Sequence, residues 1–255
     1  MSTGVKALRV LKFGSSVLAR PEDYGRAAEE VRAEVAGGCK VVAVVSAMGR
    51  TTDQLLAAVR RVTEAPADAL VAAVLGTGEE ASVALLAMAL DAREVSVNAF
   101  TRTTIPIRTR GPLQDADPVD VDAERILSVL ESVDVVVFPG FVGVDAAGSP
   151  SLLGRGGTDL TALFLGHALG AAETRLVKDV DGIFPGDPGE KPDAAPFAYL
   201  SWEGARRIGG GVVQEKALAF AARHGLGFRV AAQGGRGTWV GALAEVPPGS
   251  ATRAG

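Results

Sequence analysis

The stretch Leu152-Leu153-Gly154-Arg155-Gly156-Gly157-Thr158-Asp159-Leu160-Thr161-Ala162 decides how the rest of the chain is read. A polar, glycine-rich turn with one Arg and one Asp runs straight into residues 160–169, an apolar stretch with helical spacing. Thr158 or Asp159 can cap such a helix, and the glycines let another molecule approach the backbone closely. The free N–H groups and positive dipole end of the helix favour an anion. Arg155 offers a two-pronged grip on a carboxylate or phosphate. Gly-Gly before a helix is also an ordinary tight turn. Similar signals elsewhere in the chain make it a candidate site.

Working outward, residues 173–177 read as a strand ending in Lys178-Asp179-Val180-Asp181-Gly182-Ile183-Phe184. Acidic residues just past a strand can hold a ribose hydroxyl or the shell of a divalent ion, and they also form turns. Residues 7–13 read as a strand closing on Lys12-Phe13-Gly14-Ser15-Ser16. Residues 41–45 form a fully apolar β-branched run, hence a buried strand, followed by Ser46-Ala47-Met48-Gly49-Arg50-Thr51-Thr52-Asp53. Open parallel sheets bind ligands at that carboxyl edge. Lys12 beside Gly14, Ser15 and Ser16 places a point charge next to backbone N–H groups, an arrangement suited to phosphate. It is not a Walker A loop, because the G-x-x-x-x-G-K-[ST] pattern is absent.

Helices are expected at 20–35, 54–62, 123–130, 201–207 and 213–223, and short strands at 95–100, 105–108, 133–138, 227–230 and 238–240. Residues 67–90 read as helical but interrupted at 75–80, which places Glu79 on a Gly-flanked break. Residues 111–121, with Asp115, Asp117 and Asp120, read as a solvated loop, and the residues after about 246 as a frayed end. Hydrophobic residues make up 47% of the 255-residue chain but aromatics only 5%, so the core is Val, Leu and Ala. That composition suits buried parallel strands covered by Ala-rich helices. A net charge of −4 with no basic block argues against nucleic acid or an anionic membrane as partner. One Cys excludes an intrachain disulfide and a cysteine metal cluster, and two His make zinc improbable. No signal-peptide core and no apolar run of about 18 residues is seen, so a cytoplasmic protein is expected.

With these blocks in order, the chain resembles the aspartate kinases of the amino acid kinase superfamily, over residues 5–241. Lys12-Phe13-Gly14-Ser15-Ser16 is similar to the K-F-G-G-T/S opening, and residues 45–53 are similar to the second loop. Thr77-Gly78-Glu79-Glu80-Ala81-Ser82 resembles T-G-E-Q-x-S, and residues 154–159 resemble G-R-G-G-S-D. Residues 179–184 resemble D-V-D-G-V-Y, and Asp187-Pro188 with Pro192-Asp193-Ala194 follows D-P-x-x-x-P-D-A. The resemblance implies a three-layer αβα sandwich with a mainly parallel central sheet. It also implies one domain over 1–246, with an acceptor lobe to about 170, a nucleotide lobe from 171, and a tail at 247–255.

The implied reaction is attack of an acidic amino acid's carboxylate on the γ-phosphate of Mg-ATP, which requires positioning and charge neutralisation. Lys12 would bridge the transferred group, Asp159 would orient Lys12 and the substrate, and Gly14, Ser15 and Ser46 would supply donors to phosphate. Thr52, Thr158, Glu79 and Arg155 would hold the amino acid, with Glu79 on the ammonium and Arg155 on a carboxylate. Lys178, Asp179, Asp181, Gly182 and Phe184 would line the nucleotide pocket, with Mg²⁺ carried mainly by ATP oxygens and water. The family's phosphate-contacting Lys falls on Gly211, and Lys216, one helical turn onward, is the candidate to replace it. Thr101-Arg102-Thr103-Thr104 stands in place of T-G-x-Q, Lys178 in place of Thr, and Phe184 in place of Tyr. The chain stops where regulatory ACT domains would begin, so feedback through them is not expected, and a homodimer or larger homo-oligomer would form without them. Two other readings stay open: a relative with another small acceptor such as carbamate or a phosphate or phosphonate ester, and a catalytically weak nucleotide-binding subunit.

Overall fold

A computed structural model describes residues 6–186, 194–208 and 211–242. The first strands, β1 (Leu8–Phe13) and β2 (Lys40–Val45), flank α1 (Asp23–Ala36) and pair in parallel, Leu11 beside Ala43. Their β-branched runs carry side chains alternately to the two faces, and both faces are buried. Next come α2 (Thr51–Val62), α3 (Asp68–Asp91), β3 (Val97–Ala99), β4 (Arg108–Arg110), β5 (Asp117–Asp120) and α4 (Ala123–Ser132). Then β6 (Val135–Pro139), β7 (Val142–Val144) and β8 (Pro150–Leu152) lead to α5 (Gly157–Ala168) and β9 (Glu173–Val177). The chain closes with β10 (Tyr199–Leu200), α6 (Trp202–Ile208), α7 (Glu215–Arg223), β11 (Phe228–Ala231) and β12 (Thr238–Val240).

Eight strands form one sheet in the order β10-β12-β11-β9-β1-β2-β6-β3, parallel throughout except for the β11/β12 pair. Val10, Val42, Val44, Val136 and Phe138 face α4, α5 and α7, whereas Leu11, Phe13, Ala43, Val45 and Val137 face α1 and α3. This is the expected αβα sandwich with a mainly parallel centre. β1 sits in the middle, between β2 and β9, so Lys12 near its carboxyl end lies at the heart of the sheet edge.

Three expectations fail. α3 is one continuous helix of 24 residues, without a break at 75–80. Gly76 and Gly78 serve close packing instead of ending the helix. A Cβ on Gly76 would lie 2.6 Å from the Arg102 guanidinium, and one on Gly78 would lie 2.9 Å from Cβ of Ala47. Residues 111–121 are not all loop, because β5 joins a second, four-stranded sheet in the order β5-β4-β7-β8. The strand expected at 105–108 begins only at Arg108, while Ile105 and Ile107 turn into the core. The other strands and helices appear within a few residues of their expected bounds, with β7, β8 and β10 unforeseen. The motif at 187–193 and the tail at 247–255 lie outside the described residues. Among the described helices, α3 alone is long and apolar enough to cross a membrane, and half of its most apolar window is buried in the fold.

Candidate active site

A cleft of about 540 Å³ opens where β1, β2 and β9 end and α5 begins. Its wall includes Lys12, Gly14, Ser15, Ser46, Thr52, Glu79, Arg155, Thr158, Asp159 and Lys178, so ten of the fifteen sequence-derived site residues meet in one place. Lys12 and Arg155, 143 positions apart by their numbers, therefore share one cavity.

At the floor, Lys12 Nζ lies 2.7 Å from Asp159 Oδ1, and Lys178 Nζ lies 2.8 Å from Asp159 Oδ2. Two ammonium groups thus straddle one carboxylate, and all three side chains are largely buried. Buried charges are tolerated when paired, and here the pairing leaves one positive charge in excess facing the cleft. Burial pushes the Lys12 ammonium down to about 8; Asp159 opposes that shift and neighbouring Lys178 adds to it. Burial alone would raise the Asp159 carboxyl, but Lys12 and Lys178 outweigh it and hold Asp159 below the usual carboxylate range. Asp159 also stands in the first turn of α5, where the helix dipole favours negative charge.

Local backbone geometry explains why these groups converge. The Gly14 carbonyl accepts N–H bonds from Val17 and Leu18, at 3.0 and 2.8 Å, which closes a turn over Ser15 and Ser16. A Cβ at residue 14 would sit 2.7 Å from Lys12 Nζ, so glycine keeps the ammonium in place. α5 is capped by Gly156 in the left-handed conformation (φ 76°), not by Thr158 or Asp159 as the sequence suggested. Those two side chains are inside the first turn and face the site. Ser46 Oγ donates to Thr158 Oγ1 at 2.9 Å, joining the end of β2 to the start of α5. A Cβ on Gly140 would meet Thr158 Cγ2 at 2.3 Å, so β6 reaches α5 closely only because residue 140 is glycine.

At the other end, Glu79 is 2% exposed, on the continuous α3. Its Oε1 accepts the Ala47 N–H at 3.2 Å, while Oε2 has no hydrogen-bond partner among the described residues. Burial raises its carboxyl to about 7, against the opposing Ala47 N–H. Arg155 projects from the turn before α5 and is exposed. Phe141, also on the wall, takes a left-handed φ of 69°, and its N–H donates to Thr161 Oγ1 at 3.1 Å. Such a conformation in a bulky residue is costly and is held here by the surrounding contacts.

Five sequence-derived residues do not line this cleft. Asp179 is exposed beyond β9, and Asp181 Oδ1 accepts the Ala232 N–H at 3.1 Å, tying its loop to the end of β11. Gly182 (φ 113°) packs on Thr238, and Phe184 is half-buried nearby in sequence. Lys216 does not reach into the cleft as a replacement cation: its ammonium is engaged by Asp115, Asp117 and three backbone carbonyls. The sequence reading missed Gln114, Leu75, Leu152, Val212 and Gln214, all on the wall. Gln114 had no signal, because it sits in a stretch that looks like solvated loop. Leu75 becomes legible once the helix through Gly76 is read as unbroken.

The profile of the amino acid kinase family matches residues 7–231. An aspartate kinase of Stutzerimonas stutzeri is 35% identical over 227 residues, covering 88% of this chain and 55% of that protein. The chain thus spans about half the length of the curated relatives it matches. Among solved structures, aspartate kinase from Synechocystis superposes with a TM-score of 0.79 at 28% identity, over 92% of this chain and 40% of that one. E. coli aspartokinase III in complex with aspartate and ADP gives 0.81 at 24% identity, over 94% and 66%; at that identity the likeness shows the fold.

Proposed function

The chain belongs to the amino acid kinase family, and from that membership we propose that it transfers the γ-phosphoryl group of ATP to the side-chain carboxylate of L-aspartate. The observation that carries this reading is the Lys12–Asp159–Lys178 triad in one cleft with Arg155 and Glu79. The triad suits a phosphoryl group, and the guanidinium and carboxylate answer the opposite charges of an amino acid.

A carboxylate oxygen of the acceptor attacks the γ-phosphorus in line, and the bond to the β–γ bridging oxygen breaks, giving an acyl phosphate and ADP. No base is needed, because the attacking carboxylate is already ionised. Lys12 and Lys178 neutralise charge on the phosphoryl oxygens, and Asp159 keeps the two ammonium groups a fixed distance apart. Gly14 and Ser15 offer backbone donors beside Lys12. Glu79 receives the acceptor's ammonium on its unpartnered oxygen, Arg155 grips a carboxylate, and Ser46, Thr52 and Thr158 orient the acceptor by their hydroxyls. Asp179, Gly182 and Phe184, braced by Asp181, are assigned to the nucleoside. Among the described residues no three His, Cys, Asp or Glu side chains gather, and both Asp159 oxygens face ammonium groups. Mg²⁺ would therefore arrive held by phosphate oxygens and water, where it screens the phosphate charge. Both substrates are soluble metabolites, which fits a cytoplasmic enzyme.

Release of ADP from ATP, measured with aspartate, glutamate, carbamate or no acceptor, tests the assignment. Turnover with aspartate alone, trapped as its hydroxamate, is expected. Turnover with carbamate alone would transfer the reading to another branch of the family, and ATP binding without any turnover would leave a nucleotide-binding subunit.

A further inference from the structure

We propose that Lys216 is a positioning residue that fastens the turn carrying Arg155, instead of touching phosphate; the proposal rests on the kinase reading only for what Arg155 grips. Lys216 lies in the first turn of α7, outside the cleft. Its ammonium donates to Asp115 Oδ1 at 2.8 Å and to the backbone carbonyls of Ala116 at 2.9 Å, Asp115 at 3.2 Å and Leu153 at 3.2 Å; Asp117 Oδ1 is also 3.2 Å away. An ammonium has three N–H donors, so these five acceptors saturate it. None is left for a ligand.

What it holds together is the point. Leu153 immediately precedes the Gly154–Gly157 turn, and Asp115 follows Gln114; both Arg155 and Gln114 line the cleft. The two segments already touch through the Ala116 N–H, which donates to the Leu152 carbonyl at 2.8 Å. They also meet at Gly154 (φ 74°), where a Cβ would fall 2.0 Å from Asp115 Oδ1. The residue before Glu215 completes the clasp: a Cβ on Gly156 (φ 76°) would lie 2.4 Å from Gln214 Cβ. Two close approaches at left-handed glycines and one backbone hydrogen bond thus surround one turn, and among the described residues Lys216 is the only side chain with donors to both segments. Asp115 and Asp117 are exposed, so the pairs add little to global stability. Their effect is local, on where Arg155 points.

The test uses the full chain with Lys216→Met, which keeps most of the apolar stem, and Lys216→Arg, which keeps the charge. Amide hydrogen exchange at residues 154–157 in the substrate-free protein should quicken at least tenfold in the Met variant and much less in the Arg variant. KM for the acceptor should rise at least tenfold in Lys216→Met while KM for ATP stays within about twofold. Asp115→Ala should reproduce both changes, and combining it with Lys216→Met should add little more, since the two act through one contact. A rise in the KM for ATP with unchanged exchange would return Lys216 to the phosphate site and overturn the proposal. Unchanged exchange alone also overturns it. The exchange measurement needs no substrate, so it decides the matter even if wild-type protein fails to turn over aspartate, an outcome that would count against the kinase reading alone.

Discussion

The two ends of the cleft are built differently. At the end proposed for the phosphate, Lys12 is on β1, Asp159 is in the first turn of α5, and Lys178 follows β9 directly, so each charge hangs on or next to a regular element. At the end proposed for the acceptor, Glu79, Thr52 and Thr158 sit on α3, α2 and α5, whereas Arg155 rides on a turn held by other side chains. The Lys12–Asp159–Lys178 group is largely buried and internally paired, whereas Arg155 is exposed. On the proposed reading, chemistry common to every acceptor is placed on regular elements of the central sheet. Recognition that differs between acceptors would then fall to contacts such as Arg155, which can be changed without disturbing the sheet.

The largest effect should come from the stiff end. Lys12→Ala leaves Asp159 still paired with Lys178, so the variant should fold. Its kcat should fall by about three orders of magnitude or more, while ATP affinity stays within about tenfold, because the charge acts mainly on the transition state. Steady-state kinetics with a separate nucleotide-binding titration would check this. If ATP affinity fell as far as kcat, the rigid end would be a binding device, and the contrast between the two ends would dissolve. Next in size is Arg155→Ala. An exposed guanidinium that forms a charge-assisted contact only when the acceptor arrives contributes about 1.5–3 kcal/mol, so the acceptor's KM should rise roughly 10- to 150-fold. kcat and the KM for ATP should change much less, and a loss of ATP affinity instead would mean the two ends have been assigned the wrong way round.

The same contrast governs what could be read in the sequence. The positions of Lys12, Asp159 and Lys178 were legible because an apolar β-branched run or an apolar helix fixes where an element starts and stops, and their joint role came from the family resemblance. Buried parallel strands covered by Ala-rich helices followed from the same runs, whereas the three-layer αβα arrangement came from the family resemblance. α3 was misread because Gly76 and Gly78 look like breakers, and only the partners that fill their missing Cβ positions, Arg102 and Ala47, explain why the helix continues. The second sheet was illegible because its strands are only three or four residues long, too short to show a period, and Asp117–Asp120 carries Pro118 inside. Lys216 was misplaced for a related reason: its partners are backbone carbonyls from two distant loops, and nothing in a string of residues marks a carbonyl as available.

Glu79 sharpens the comparison, since it is an acceptor-end residue built like a phosphate-end one. Burial raises its carboxyl to about 7, well above the value of about 4.3 it has in an unfolded chain. The folded state therefore holds this proton more tightly than the unfolded state. The stability it contributes is complete below about pH 4 and is lost as pH rises through about 7. In Glu79→Gln there is no proton to lose, so the variant's Tm should drop less than the wild type's between pH 5 and pH 8. Over that interval the linkage is worth about 2.5 kcal/mol, or roughly 5–10 °C in a chain of this size. At pH 8 the same variant should bind the acceptor more weakly, because the neutral amide no longer answers its ammonium. Calorimetric melts of both proteins at the two pH values would show the gap open as pH rises. Parallel melting curves would mean the Glu79 carboxylate is already satisfied in the folded protein, which would leave it no free charge with which to receive a substrate.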